Sequence, residues 1–190
     1  MHVQPKIVVI GGSWGGVKAS LQLLEDLPAN YSLPVVLVLH RLRNQEGQLQ
    51  ELFDLKLRLK AVEIEDKDIL QSGYLYLAPP NYHVLLENDQ SFALDDSELE
   101  NYSRPAIDVT FKSAADVYGD QVIGIVLSGA SEDGSSGLNY IFGKGGTVIV
   151  QEPREAEIET MPLAAIKATP GCRVMRLTEI KAFLQSLHVN

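Results

Sequence analysis

The 190-residue chain is long enough for one domain with a full hydrophobic core, expected over residues 1–190, and its 45% apolar content is ordinary for a globular protein. Its 25 acidic residues outnumber its 16 basic ones, and the net charge of −9 argues against nucleic acid and anionic membranes as partners. The single cysteine, Cys172, excludes an internal disulfide and fits a reducing cytoplasm, no apolar stretch approaches the roughly 20 residues of a membrane span, and Met1 to Pro5 lack the regions of a signal peptide.

Taken in chain order, strands and helices alternate. Lys6–Ile10 is a short continuous apolar run, the pattern of a strand buried on both faces. Gly15–Leu27 places Val17, Leu21, Leu24 and Leu27 at helical spacing, and Pro28 and Asn30 stop it. Val35–Leu39 reads as a second buried strand, and Glu46–Leu55 as a helix with Leu49, Leu52 and Phe53 on one face. The middle of the chain changes period. Leu57–Ile64 partly alternates, Tyr74–Ala78 is a strand halted by Pro79-Pro80, and His83–Leu86 and Ser91–Leu94 flank Glu87-Asn-Asp-Gln90 as a hairpin. This section predicts an antiparallel flap attached to a parallel sheet. The α/β rhythm then resumes with a helix over Ala106–Tyr118, a strand over Val122–Leu127, and a helix over Gly134–Lys144 with Leu138 and Ile141 inward. A strand over Thr147–Val150 and helices over Met161–Thr169 and Leu177–Leu187 complete it. The acidic stretches Asp95–Glu98 and Glu152–Glu159 read as solvated loops. The expected class is α/β: a doubly wound, mainly parallel sheet flanked by helices, with right-handed crossovers and an antiparallel hairpin near residues 83–94.

Ser13 stands in Gly11-Gly12-Ser13-Trp14-Gly15-Gly16, where the first strand must turn into a helix. Glycines on both sides permit a tight turn and the close approach of another molecule, and the helix start aims unpaired N–H groups at the same point. Such a serine can be a nucleophile, a phosphate contact or a helix cap. A dinucleotide fingerprint fails: counted from Gly11, its second glycine falls on Ser13; counted from Gly12, it falls on Trp14. The second strand ends in His40 where an acidic residue is required, and no Gly-Lys-Ser/Thr follows for a P-loop.

Ligands in such sheets bind beyond the carboxyl ends of the strands. Ser13 follows the first strand, His40 the second, and Asp133 the third through the loop Ser128-Gly-Ala-Ser-Glu-Asp133. A serine hydroxyl needs a base, imidazole serves near neutral pH, and a carboxylate fixes the imidazole tautomer. Each residue also has an ordinary role: Ser13 and Asp133 as caps, His40 as a packed histidine. Together they supply the three chemical types of a hydrolytic triad. His2 and His188 lie at the termini, which leaves His40 and His83 as bases, His83 within the hairpin and a candidate for binding or for packing over the site. The sequence lacks paired histidine or cysteine spacings for a metal, and Cys172 lacks the surroundings of a nucleophile.

With these residues in place, the chain resembles the catalytic domain of the CheB-type chemotaxis methylesterases. The family's Gly-x-Ser-x-Gly-Gly turn is matched by Gly11 to Gly16, its histidine at the second strand end by His40, and its Gly-x-Gly-x-Asp-Gly loop by Gly129 to Gly134. Leu77-Ala-Pro-Pro-Asn-Tyr-His83, Arg104-Pro-Ala-Ile-Asp108, Gly145-Gly146 with Gln151, and Met161-Pro162 extend the resemblance from about Lys6 to Leu187. It implies hydrolysis of glutamate γ-methyl esters on chemoreceptor cytoplasmic helices, often with deamidation of receptor glutamines, and requires no cofactor or metal. Ser13 falls on the nucleophile, His40 on the base and Asp133 on its carboxylate. The backbone N–H groups of Trp14 and Ala130 are candidate oxyanion donors, and His83 and Met161 candidate substrate-binding residues. The chain departs from the family at several points. Trp14 replaces a usual Thr, Leu39-His40-Arg41-Leu42 replaces Gln-His-Met-Pro, Ala130 and Ser131 replace Met and Gly, and Thr160 replaces Gly. A first strand at Lys6 leaves no place for the N-terminal receiver domain common in the family, so the expectation is constitutive activity, a separate regulator in its place, or service in a pathway other than taxis. Two other readings remain open: an esterase of this fold acting on another methylated protein or a small ester, and a non-catalytic module that binds receptor helices.

Overall fold

Apolar runs too short for a helix and lacking alternation pack as strands covered on both faces. In the computed structural model, which describes residues 4–40 and 48–189, three such runs form the centre of the sheet: β1 (Ile7–Gly12), β2 (Val35–Leu39) and β7 (Val122–Val126), all fully buried. With β3 (Lys60–Glu63), β4 (Tyr74–Leu77), β8 (Thr147–Gln151) and β9 (Arg173–Met175) they make a seven-stranded sheet in the order β3-β4-β2-β1-β7-β8-β9. Every pairing within it is parallel. The strands β5 (His83–Leu86) and β6 (Phe92–Asp95) form a separate antiparallel hairpin.

Helices cover both faces. Alternate residues of β1 divide between two cores. Val8 and Ile10 meet α1 (Gly16–Leu24), α2 (Gln48–Lys56) and α6 (Leu177–Ser186) through Leu23, Phe53, Ile180 and Leu184. Ile7 and Val9 meet α3 (Ile107–Tyr118), α4 (Ser135–Gly143), α5 (Thr160–Ala168) and the hairpin through Phe111, Leu138, Met161 and Phe92. Each fully buried Leu, Ile or Phe of these cores contributes about 1.5–3 kcal/mol of transfer free energy.

The expected doubly wound α/β class is the observed one. Three details differ from the sequence reading. Leu57–Ile64 and Tyr74–Ala78, grouped with the hairpin, instead contribute β3 and β4 to the parallel sheet. The apolar alternation before β3 arises because Leu57 and Leu59 are buried while Arg58 stays in solvent. The edge strand β9 has no apolar run to reveal it: Arg173 and Val174 are exposed, and pairing with β8 alone defines it. The first helix stops at Leu24, where Leu27 N–H turns back to the Leu24 carbonyl. Arg41, Leu42 and the expected helix start at Glu46 lie outside the described residues.

The chain leaves β1 for β2 on one side and later reaches β7 on the other, so the strand order reverses at β1. At such a switch point the loops beyond the strand ends diverge and leave a crevice. The ladder continues one step past the strands: His40 N–H donates to Gly12 O at 3.2 Å, Leu127 N–H to Gly11 O at 2.8 Å, and Ser13 N–H to Ser128 O at 3.0 Å. Three loops therefore start at one level.

A helix packs hard against this edge. A Cβ at Gly11 would lie 2.4 Å from Ile107 Cγ2, on the first residue of α3. Gly11→Ala is therefore expected to cost about 1–3 kcal/mol through overpacking, read as a lower urea midpoint with an unchanged slope. A variant as stable as the parent would show that α3 can yield here.

Candidate active site

Ser13 is placed by a turn that its neighbours make obligatory. Gly15 has φ +79°, and a Cβ there would meet Ser128 Oγ at 2.7 Å and Glu157 Cβ at 2.8 Å. The backbone conformation and the lack of room both demand glycine. Ser128, buried beyond β7, ties the turn to the next loop. Its carbonyl accepts the Ser13 N–H, its hydroxyl donates to Trp14 O at 2.9 Å and accepts from Ile158 N–H at 2.9 Å, and its N–H donates to the buried Gln151 Oε1 at 2.8 Å. At Gly129 a Cβ would stand 2.8 Å from both Ser13 Cβ and Met161 Cε. Ser13, the β7 loop and the first turn of α5 are thus in direct contact.

The histidine and the carboxylate meet as well. His40 Nε2 lies 2.8 Å from Asp133 Oδ2; the imidazole is 15% exposed and the carboxylate 0%. Asp133 Oδ2 also accepts Ile107 N–H at 2.6 Å. Its Oδ1 accepts Asp108 N–H, Gly134 N–H and Asn101 Nδ2–H, each at 3.0 Å. Two of these donors open α3, where the helix dipole also favours a negative charge. Burial alone would push the Asp133 pKa up; the bond from His40 and those from the Ile107 and Asp108 N–H groups outweigh it and hold the group below its ordinary value. An ionised carboxylate only accepts, so Nε2 carries the imidazole proton and Nδ1 keeps the lone pair.

A second carboxylate stands beside the first. Asp108 is buried, accepting Gly137 N–H at 2.6 Å on Oδ1 and Asn101 Nδ2–H at 3.0 Å on Oδ2. Burial raises its pKa; the Gly137 N–H opposes the rise and the charge of Asp133 adds to it.

Ser13 and His40 share a cleft of about 800 Å³, walled by Trp14, Val17, Leu21 and Glu157 among others. Trp14 is 66% exposed, and its indole N–H donates to Glu157 Oε1 at 2.9 Å. Among the described residues, neither Trp14 N–H nor Ala130 N–H has a protein acceptor. Of the sequence candidates, Ser13, His40 and Asp133 gather at the switch point. Met161 is buried beneath Gly129. His83 is buried in the hairpin: Nδ1 accepts Ala106 N–H at 3.2 Å, so Nε2–H donates to Glu98 O at 2.9 Å, fastening the loop before α3. Among the described residues, no three His, Cys, Asp or Glu side chains are grouped to hold a metal ion.

The roles of Ser128, Asn101, Asp108 and Glu157 are not among the expectations drawn from the sequence. Ser128 carried a signal, since it follows β7 as Ser13 follows β1. Asn101 carried none: its loop is polar and its partners lie 7 and 32 residues away.

Fold and site together define a class, α/β proteins with a serine at a strand–helix turn and a histidine–carboxylate pair at the neighbouring strand ends. Within that class the comparisons are specific. The family model described as CheB methylesterase matches residues 8–184. A relative from Leptospira interrogans, provisionally named protein-glutamate methylesterase/protein-glutamine glutaminase, is 40% identical over 96% of this chain and 95% of its own length. Relatives of that name from Trichodesmium erythraeum and Thermotoga maritima are 34% and 33% identical, and the chain spans only 51% and 49% of their lengths. The crystal structure of the Thermotoga maritima CheB methylesterase catalytic domain superposes with a TM-score of 0.90 at 32% identity, covering 97% of this chain and 100% of that one. The chain belongs to the CheB methylesterase family.

The two buried carboxylates act on stability with opposite sign. Asp108 is raised in the folded state, so the stability linked to its proton is complete below the ordinary carboxylate value of about 4 and is lost as pH rises through the raised one. Asp133 is depressed, so its contribution is complete above about pH 4 and is lost as pH falls through its lowered value. In urea titrations at a series of pH values, Asp108→Asn is expected to reduce the decline above about pH 4 and leave the loss below it. Identical pH dependence in parent and variant would contradict this.

Proposed function

We propose that the protein is a cytoplasmic serine esterase that removes methyl esters from glutamate side chains of chemoreceptors, using Ser13, His40 and Asp133. One observation carries this reading: in a chain of the CheB methylesterase family, a buried carboxylate held ionised by its donors grips His40 through Nε2 at the cleft that Ser13 also lines. The family model over residues 8–184 supports treating nearly the whole chain as one catalytic domain.

Ser13 Oγ attacks the ester carbonyl carbon as His40 Nδ1 takes its proton. The carbonyl oxygen becomes an oxyanion, with the N–H groups of Trp14 and Ala130 as its donors; each such donor contributes about 3 kcal/mol in enzymes where it has been removed. The imidazolium, stabilised by Asp133, returns the proton to the leaving methoxide, and methanol departs from an acyl-serine. Water, deprotonated by His40, then attacks the acyl carbon and frees the glutamate carboxylate and Ser13. With a glutamine side chain the same steps release ammonia, the second activity in the relatives' names. Receptor helices are the partner proposed here.

Incubating the protein with receptor carrying labelled methyl groups tests this. The parent is expected to release volatile methanol, and Ser13→Ala to lower the rate at least about 10³-fold. Equal release by the two would sink the assignment. Asp133→Asn is expected to lower kcat about 10⁴-fold by favouring the wrong imidazole tautomer. A fluorophosphonate should label the parent at Ser13; receptor capture with neither labelling nor turnover would instead show a binding module. Turnover of small methyl esters but not of receptor would place the substrate elsewhere.

A further inference from the structure

Asn101 lies on the loop between β6 and α3, and the loop is fastened along its length. His83 Nε2–H holds Glu98 O at 2.9 Å, Arg104 Nη1 donates to the Asp96 and Ser97 carbonyls, and Glu100 and Ser103 exchange backbone bonds at 3.2 and 2.9 Å. Between them Asn101 and Tyr102 take left-handed backbone angles, φ +51° and +61°. Asn enters that region readily and Tyr only rarely, and Tyr102 is 98% exposed. From this exposed loop position the short Asn101 side chain reaches the two carboxylates beneath it.

Both amide hydrogens are used there. Nδ2 lies 3.0 Å from Asp108 Oδ2 and 3.0 Å from Asp133 Oδ1, bridging two buried carboxylates. Carboxylate oxygens accept, so the nitrogen end of the amide must face them. Without this bridge two like charges would face each other in a poorly solvated space, where unscreened repulsion is large. Asp108 and Asp133 belong to different elements, the start of α3 and the loop before α4, and Asn101 joins them from a third.

We propose that Asn101 is a positioning residue for the reaction. By tying Asp133 Oδ1 to Asp108, it fixes the plane of the Asp133 carboxylate so that Oδ2 stays on His40 Nε2–H and Nδ1 keeps its lone pair at the cleft that Ser13 also lines. The inference rests on the reading of Ser13, His40 and Asp133 as the reacting groups. Asn101 touches none of the reacting atoms, and its effect on the base passes through Asp133. Burial and the charge of Asp133 raise the Asp108 pKa, and the Asn101 amide opposes that rise.

The test uses the whole chain with the methyl-labelled receptor, and kcat and KM are read from methanol release. Asn101→Ala, the near-isosteric Asn101→Asp and the neighbouring control Tyr102→Ala are first compared for thermal melting. Asn101→Ala is expected to lower kcat about 10–100-fold with KM within about twofold, the signature of lost alignment. Asn101→Asp, which sets a third carboxylate against the pair, should lower kcat at least as far. Tyr102→Ala should leave kcat and KM unchanged. If Asn101→Ala melts early, Asn101→Asp carries the comparison. Parent-like kcat in the folded Asn101 variants, a rise in KM alone, or an equal loss in Tyr102→Ala would overturn the positioning role. Those outcomes are separable from failure of the underlying reading, which would show as parent turnover that Ser13→Ala does not remove and would overturn this proposal with it.

Discussion

The arrangement depends on one buried charge. Moving a carboxylate from water into a protein interior costs several kcal/mol unless donors replace its hydration. Asp133 finds five: the imidazole of His40, three backbone N–H groups and the Asn101 amide. Each donor comes from a fixed place in the fold, namely the end of β2, the start of α3, the turn into α4 and the loop before α3. Removing any of these elements leaves the charge short of a partner. The site and the packing of α3 against α4 are therefore one problem with one solution.

The glycines at the switch point follow from that. Ile107 must reach Asp133 with its N–H while its side chain lies over β1, and a Cβ at Gly11 or Gly134 would stand 2.4 or 2.8 Å from its Cγ2. The helix approaches the strand because the strand has no side chain there. On the other face, Gly12 and Gly16 admit Leu39, so β2 can end beside β1 and place His40 level with Ser13. The glycines of the tight turn thus also set how closely three elements converge on it.

The sequence revealed what depends on local pattern. Uninterrupted apolar runs located β1, β2 and β7; the residues just past them named Ser13, His40 and, through a loop, Asp133. It could not reveal what depends on long-range pairing. β9 exists because β8 offers an open edge, and its own residues carry no strand pattern. β3 and β4 resemble hairpin strands in period, and their parallel pairing is set by the sheet they join. Ser128 and Asn101 are common polar residues in loops, and their roles lie in partners that the fold brings to them. His83 carried a residue type suggestive of chemistry, yet both its ring nitrogens bond to backbone.

Trp14 divides its work between backbone and side chain. Its amide belongs to the turn, where the Ser128 hydroxyl holds its carbonyl, and among the described residues its N–H has no protein acceptor. A change of side chain leaves that geometry standing, because Gly15 and Ser128 enforce the turn from outside it. The indole is a wall: Glu157 takes its N–H at 2.9 Å and keeps the ring beside the cleft that Val17 and Leu21 also line. An aromatic face fixed by one hydrogen bond offers apolar area at little entropic cost. The residue following the serine can therefore vary with what must enter, while the chemistry it borders stays constant.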